Sequence, residues 1–144
     1  MLIQELAGLY DYIICDCRPA VDNEIAQIMR AVQYLMIPVN AADDSVDGVD
    51  TVLGYASKIR HANPDLCVAG IFFEAVNMRT AVAHDYVPQI RAKYAPLILE
   101  TIVPHSEDAH KAESRHLPVT EAYPSGKATR AYSKLVEEVL TRIG

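Results

Sequence analysis

Short apolar runs alternate with longer amphipathic stretches along the 144 residues of the chain. Apolar residues that recur every three or four positions predict a helix, whereas a short continuous apolar run predicts a buried strand. Strands that alternate with helices favour an α/β fold with a mostly parallel sheet flanked by helices. The predicted strands are 10–15, 34–39, 66–76 and 97–103, and the predicted helices are 23–32, 45–61, 80–94, 106–116 and 128–143, with 117–127 as a loop.

Two prolines mark boundaries in this pattern. Pro64 lies in an Asn-Pro-Asp turn before the third predicted strand, since proline fixes φ and cannot extend the preceding helix. Pro88 falls inside the predicted helix 80–94. Because proline has no N–H and its ring crowds the preceding turn, we expect it to kink this helix or to split off its first turn.

Length and composition place the chain among ordinary globular proteins. A length of 144 residues, 51% of them apolar, predicts one domain over 1–144 with a sizeable core. The net charge of −6 opposes general attraction to nucleic acid, although a local basic patch remains compatible with it. Three cysteines without a C-x-x-C pair, no leader and no long apolar run predict a cytoplasmic protein without membrane contact.

Ligands of such sheets bind beyond the carboxyl ends of the strands. Polar segments follow all four predicted strands, so a site would be built from them: 16–22, 40–44, 74–79 and 104–108. No spacing supports a catalytic triad or a zinc site, and we assign no catalytic residue.

Asp16 ends the first predicted strand and precedes a turn that contains Pro19. An aspartate in this position can hold Mg²⁺ through its water shell near the phosphates of a nucleotide. A turn or helix-capping aspartate is an equally good interpretation of this segment alone.

Several segments resemble ParA/MinD-type partition ATPases in the same order and spacing. YDYIICDCRPAVD, residues 10–22, is similar to their Walker B and switch segment, and YLMIPV, residues 34–39, to the strand that follows. Residues 63–80, with Arg79-Thr80, are similar to the next strand and loop. The segments 101–119 and 124–140 are similar to the last strand, loop and helix of the family.

This resemblance implies a P-loop NTPase-like fold that uses ATP and Mg²⁺, with Asp16 at the metal. It places the adenine base between two loops, and the residues by position are Asn77, Met78, Pro104 and His105. A carboxamide can pair with adenine because it offers both a donor and an acceptor. A simple turn residue is the alternative for Asn77.

Two departures from the family pattern bear on activity. The glycine-rich phosphate loop with two lysines has no counterpart in these 144 residues, and Arg18 stands where the family has its first switch proline. Backbone N–H groups and lysines of such a loop hold the phosphates. We therefore expect that the chain alone does not hydrolyse ATP, and that Arg18 either reaches an anion or blocks the phosphate site.

The resemblance also implies partners. In the family the phosphate-loop strand lies beside the Walker B strand, so without it strand edges stay unpaired and recruit a partner. We expect a homodimer or a partner that supplies this half, a ParB-like protein and, in association with the nucleoid, non-specific DNA. The candidate DNA contacts, which a solvated mixed-charge face explains better, are Arg79, Lys111, Arg115, Lys127 and Arg130.

Three functions follow from these observations. The first is an ATP-dependent partition protein for plasmids or chromosomes. The second is a non-catalytic dimerising or regulatory module derived from the same fold. The third is an unrelated flavodoxin-like or receiver-like domain with an acidic pocket at Asp16 and Asp22.

Overall fold

The computed structural model describes residues 2–18, 22–40 and 45–144. The chain divides into two compact units, a first unit of Met1–Leu35 and Asp50–Cys67 and a second unit of Met36–Val49 and Val68–Gly144. The elements are α1 (Leu2–Leu6), α2 (Asn23–Met29), β1 (Tyr34–Val39), α3 (Ser45–Ile59), β2 (Cys67–Val76), α4 (Ala81–Lys93), β3 (Ile98–Pro104), α5 (Glu107–Glu113), α6 (Val119–Ala122) and α7 (Lys127–Ile143).

The first unit has a small apolar core between α2 and the second half of α3. The side chains of α2 that lie three or four residues apart face this core, as an amphipathic helix requires. The buried members of the cluster are Ile25, Ala26, Met29, Ala56, Ile59 and Leu66. Asp22 begins α2 as its N-cap, because its side chain accepts hydrogen bonds from the backbone N–H groups of Glu24 and Ile25.

Asn63 fastens the carboxyl end of α2. Its Nδ2 donates to the carbonyl oxygens of Met29 at 2.9 Å and of Val32 at 2.8 Å. The last carbonyls of a helix have no hydrogen-bond donor within the helix. The side chain of Asn63 supplies a donor for them. Asn63 therefore links the turn after α3 to the end of α2.

The predicted strand 10–15 is wrong. Residues 12–18 have irregular backbone, and the side chains of Tyr10, Tyr12 and Ile14 are 62%, 64% and 92% exposed. A strand is stable only where its N–H and C=O groups find a neighbouring strand. Within the described residues the sheet consists of β1, β2 and β3, so this apolar run has no ladder partner there.

The second unit contains the sheet except for Tyr34, Leu35 and Cys67. Its strands lie in the order β1-β2-β3 and run parallel, which confirms the predicted α/β class with a parallel sheet flanked by helices. Helix α7 packs on one face, where Leu135 joins a buried cluster with Phe72, Leu99 and Val103. Gly70 allows the close approach of β3, because a Cβ atom at this position would stand 2.7 Å from Leu99 Cγ.

The helices of the second unit depart from expectation at two places. Helix α4 runs from Ala81 to Lys93 through Pro88, so the proline does not split it. The predicted loop 117–127 contains the one-turn helix α6. Before it, α5 ends at Glu113. In the turn that follows, His116 has a left-handed φ of 55°, and the N–H of Leu117 returns to the carbonyl of Ala112 at 3.1 Å.

Candidate functional site

A cavity of about 860 Å³ opens at the carboxyl ends of all three strands in the second unit. The strand rule predicts a ligand site at this edge, and the volume lies in the range of small-molecule sites. The strands contribute Pro38, Val39, Asn40, Glu74, Ala75, Val103 and Pro104, and the opposite wall comes from α5 to α7, with Ser106, Ala109, His110, Ala112, Glu113, Leu117, Pro118, Val119, Thr120, Ala128 and Tyr132.

The cavity wall is apolar with an acidic character. Glu74 and Glu113 are its carboxylates, and no lysine or arginine occurs among the described residues that line it. A phosphate inside the cavity would therefore meet like charge without a lysine or arginine to compensate it. An uncharged, mainly apolar group that donates hydrogen bonds fits this wall better.

A bulge at the end of β2 shapes the cavity. The register pairs Phe73 with Ile102 and Val76 with Pro104, so Glu74 and Ala75 together lie opposite one residue of β3. Ala75 has a φ of 52°, the left-handed region that non-glycine residues rarely adopt. This turn of the backbone breaks the strand alternation, and as a result both Glu74 and Ala75 line the cavity.

Tyr132 on α7 reaches across the cavity to Glu74. The phenol donates a hydrogen bond of 3.0 Å to Glu74 Oε1. Burial raises the pKa of Tyr132, and the charge and hydrogen bond of Glu74 raise it further, to about 12. Because the carboxylate accepts from a donor that stays protonated at neutral pH, one oxygen of Glu74 is held in a fixed position.

Titration should reveal this pair. Folding favours the protonated phenol, so its contribution to stability is present below the ordinary tyrosine pKa of about 10 and is lost as the pH rises towards 12. We expect one tyrosine to ionise last in a spectrophotometric titration. The Tyr132→Phe variant should lose this component, whereas Tyr123→Phe should keep it; a late component that persists without Tyr132 would refute the assignment.

The structure separates the four residues proposed for the base. Pro104 lines the cavity, whereas Asn77, Met78 and His105 are exposed and are not among its lining residues. The side-chain oxygen of Asn77 accepts from the N–H of Arg79 at 3.1 Å, so the turn interpretation describes its geometry. The ring of His105 lies 5.3 Å from that of His110, which is on the cavity wall.

Asp16 lies in the first unit, in the exposed irregular segment after residue 10. No group of three or more metal-ligating side chains occurs in the described parts of the chain. Arg18 is bound by two carboxylates, with Nη2 at 2.6 Å from Asp22 and 2.9 Å from Glu24. The hydrogen bond from the N–H of Ile25, together with the Arg18 charge, lowers the pKa of Asp22.

The five basic residues proposed for DNA are all exposed and all belong to the second unit. Arg130 donates to the carbonyl of Ser125 at 2.7 Å, which draws its guanidinium towards the loop before α7. Lys111 and Arg115 follow the acidic first turn of α5. The engaged guanidinium and the nearby acidic turn are compatible with a solvated mixed-charge face, the alternative to a DNA-binding surface.

Sequence reasoning missed the pairing of Glu74 with Tyr132. A signal exists, because Glu74 interrupts the apolar run of β2, and a charge inside such a run needs a partner or a function. The partner itself lies 58 residues away on another element, which no local pattern reveals.

Comparison with known proteins shows what this chain is similar to. A family model described as an AAA domain matches residues 1–68. The chromosome-partitioning ATPase Soj of Treponema pallidum is 26% identical over 99% of this chain and 57% of its own length. The chromosome partitioning protein ParA of Myxococcus xanthus is 26% identical over 97% and 50%, and the sporulation initiation inhibitor protein Soj of Bacillus subtilis is 24% identical over 90% and 52%. The chain is similar to the ParA/Soj-type partition ATPases over 90–99% of its length.

This similarity confirms the resemblance to ParA/MinD-type partition ATPases that the sequence indicated. The chain spans about half the length of the curated relatives that it matches. Within the described residues, none of the helices is both long enough and apolar enough to span a membrane.

Proposed function

We propose that this chain acts within a ParA-type partition protein that uses ATP and Mg²⁺ to segregate plasmid or chromosomal DNA. The relatives named as partition proteins support this reading. The observation that carries it is the cavity at the carboxyl ends of β1, β2 and β3. This is the edge at which parallel α/β sheets bind their ligands.

The cavity fits the base of a nucleotide better than its phosphates. Pro104 and Val103 offer an apolar surface to a flat ring, and the carboxylate of Glu74 can accept from an exocyclic amine. Without a lysine or arginine among its described lining residues, the cavity gives a triphosphate no counter-charge. The phosphates would then lie outside it. Asp16 of the first unit is the candidate Mg²⁺ ligand, and the glycine-rich loop that holds phosphates in this family is not part of these 144 residues.

Binding of adenosine and ATP to the chain tests this proposal. If the cavity takes the base alone, calorimetry should give affinities for adenosine and ATP that agree within about threefold, or about 0.7 kcal/mol. Release of phosphate from ATP by this chain should equal that of buffer. Saturable binding of ATP without binding of adenosine would contradict the assignment of the cavity to the base.

A matched pair of variants locates the binding. Thr120 is an exposed residue on the cavity wall, and Thr141 is an exposed threonine of α7 away from it. The Thr120→Trp substitution should weaken adenosine binding at least about tenfold by filling the cavity, which corresponds to about 1.4 kcal/mol. Thr141→Trp should leave it unchanged, and equal effects of the two changes would move the site elsewhere.

Partners and location belong to the same proposal. We infer a homodimer or a partner that supplies the other half, a ParB-like protein, and non-specific DNA in the cytoplasm or on the nucleoid. The candidate DNA contacts are the exposed residues Arg79, Lys111, Arg115, Lys127 and Arg130. Their exposure is compatible with DNA binding. The net charge of −6 opposes it.

A non-catalytic dimerising or regulatory module is the second candidate. The exposed apolar side chains of Leu9, Tyr10, Tyr12 and Ile14 favour it, because such a run in a folded protein marks a surface that a partner covers. The binding experiment separates the two candidates. A chain that binds neither adenosine nor ATP, but whose mass in light scattering rises with concentration, would be such a module.

A further inference from the structure

The outer edge of β3 contains a second bulge. The register pairs Ile71 with Ile98 and Phe73 with Ile102. Three residues of β3, Leu99–Thr101, therefore lie opposite the single residue Phe72 of β2. A bulge leaves backbone groups outside the ladder, and these must find other partners. Since β3 is the last of the described strands in the sheet order, its outer edge has no ladder partner among them.

Glu138 on α7 takes the two N–H groups of this bulge. Its Oε1 accepts from the N–H of Glu100 at 2.6 Å and its Oε2 from that of Thr101 at 3.0 Å. One carboxylate thus binds two consecutive backbone donors of an edge strand. Hydrogen bonds of this charge-assisted kind are about twice as strong as neutral ones.

Arg91 on α4 takes the carbonyl groups of the same segment. Its Nη2 donates to the carbonyl of Glu100 at 2.7 Å, and its Nη1 donates to that of Leu99 at 3.4 Å and to the Glu100 carboxylate at 3.0 Å. The guanidinium lies 5.5 Å from the ring centroid of Phe73. Phe72 faces α7, so by strand alternation Phe73 faces the other side of the sheet. Glu138 and Arg91 therefore cover the edge of β3 from opposite faces of the sheet.

An open edge strand is a template for another strand. We propose that Glu138 and Arg91 form an edge guard, which keeps the outer edge of β3 from pairing with β3 of a second copy of this chain. A second copy is the partner that fits, because the edge carries both signs of charge. If the β3 strands of two copies paired antiparallel about Leu99, Arg91 of one copy would approach Glu100 and Glu138 of the other. A two-fold interface requires such reciprocal contacts.

The charge state of Glu138 agrees with this role. Burial raises its pKa, but the hydrogen bonds from Glu100 and Thr101 and the charge of Arg142 outweigh burial, and the pKa is lowered overall. The side chain of Glu100, whose N–H donates to Glu138, is exposed and forms an ion pair with Arg91 at 3.0 Å. A lowered pKa means that the contribution of Glu138 is complete above the ordinary glutamate value and is lost only as the pH falls through the lowered one.

Light scattering over a range of chain concentrations tests the guard. Glu138→Gln keeps the size of the side chain but replaces one acceptor by a donor that faces a backbone N–H. We expect its self-association constant to exceed that of the unmodified chain by at least about tenfold, or about 1.4 kcal/mol. The control is Glu137→Gln on the exposed side of the same helix, which should match the unmodified chain.

A second substitution shows where the copies meet. Thr101→Pro removes an N–H that points to Glu138 and not to β2, so in the Glu138→Gln background it should return association to the level of the unmodified chain. If the proline variant fails to fold by circular dichroism, Glu138→Asp, whose carboxylate is too short to reach both amides, should associate like Glu138→Gln. A folded Glu138→Gln chain with the mass profile of the unmodified chain would overturn the proposal.

Discussion

Replacement of Leu99 by alanine should lower the free energy of unfolding of the second unit by about 2–5 kcal/mol. Leu99 is fully buried and packs in the cluster of Phe72, Val103 and Leu135 that joins α7 to the sheet. The substitution removes most of an apolar side chain and leaves a cavity, because the surrounding structure relaxes only in part. Urea denaturation followed by circular dichroism measures the loss.

A double variant with Gly70→Ala tests how closely Leu99 packs against β2. A Cβ atom at residue 70 would stand 2.7 Å from Leu99 Cγ, so Gly70→Ala alone should cost about 1–3 kcal/mol through overpacking. In the Leu99→Ala background the obstructing side chain is gone. The double variant should therefore be more stable than the sum of the two losses predicts, by about 1 kcal/mol or more. Additive losses would show that the two residues do not restrict each other.

The sequence predicted most of the sheet because its strands are buried. Residues 34–39, 66–76 and 97–103 are apolar runs, and in the structure β1, β2 and β3 coincide with them within one residue at each end. The run at 10–15 is also mainly apolar but has no neighbour among the described strands. An apolar run predicts that a segment can be buried. A strand also requires a neighbouring strand, and the residues of the segment alone do not show whether one is present.

The candidate site was predictable as a place but not as a set of contacts. The rule for parallel sheets located the cavity at the strand ends, and Pro104 lies on its wall. Asn77 was assigned to the base from the resemblance, yet its carboxamide oxygen is engaged in a turn with Arg79. The bulges at Ala75 and at Leu99–Thr101 shift which side chains face each side of β2 and β3. A regular alternation therefore predicts neither the Glu74–Tyr132 pair nor the position of Glu138.

Each of the two bulges contributes to one of the two proposed features, the ligand cavity and the edge guard. At the end of β2, an extra residue with left-handed backbone adds a carboxylate to the cavity wall. In β3, extra residues turn two N–H groups towards a carboxylate of α7. Irregular backbone of this kind costs free energy that only specific contacts offset. The same sheet thus has one irregularity that opens a site and another that closes an edge.

Asn63→Ala should be the most damaging polar substitution in the first unit, with an expected loss of about 2–3 kcal/mol. The change removes two hydrogen bonds and leaves the carbonyls of Met29 and Val32 without this donor at the end of α2. Asn63→Asp should be at least as damaging, because a carboxylate cannot donate and would face two carbonyl oxygens.

Hydrogen exchange measures this effect where it occurs. The amides of α2 and of residues 56–66, which surround the core of the first unit, should exchange faster in Asn63→Ala than in the unmodified chain. The matched control is Asn23→Ala, an exposed asparagine at the first position of α2, for which a change within about 0.5 kcal/mol is expected. Equal exchange in the two variants would mean that α2 is held by its apolar face alone, and that the two bonds of Asn63 contribute nothing to the first unit.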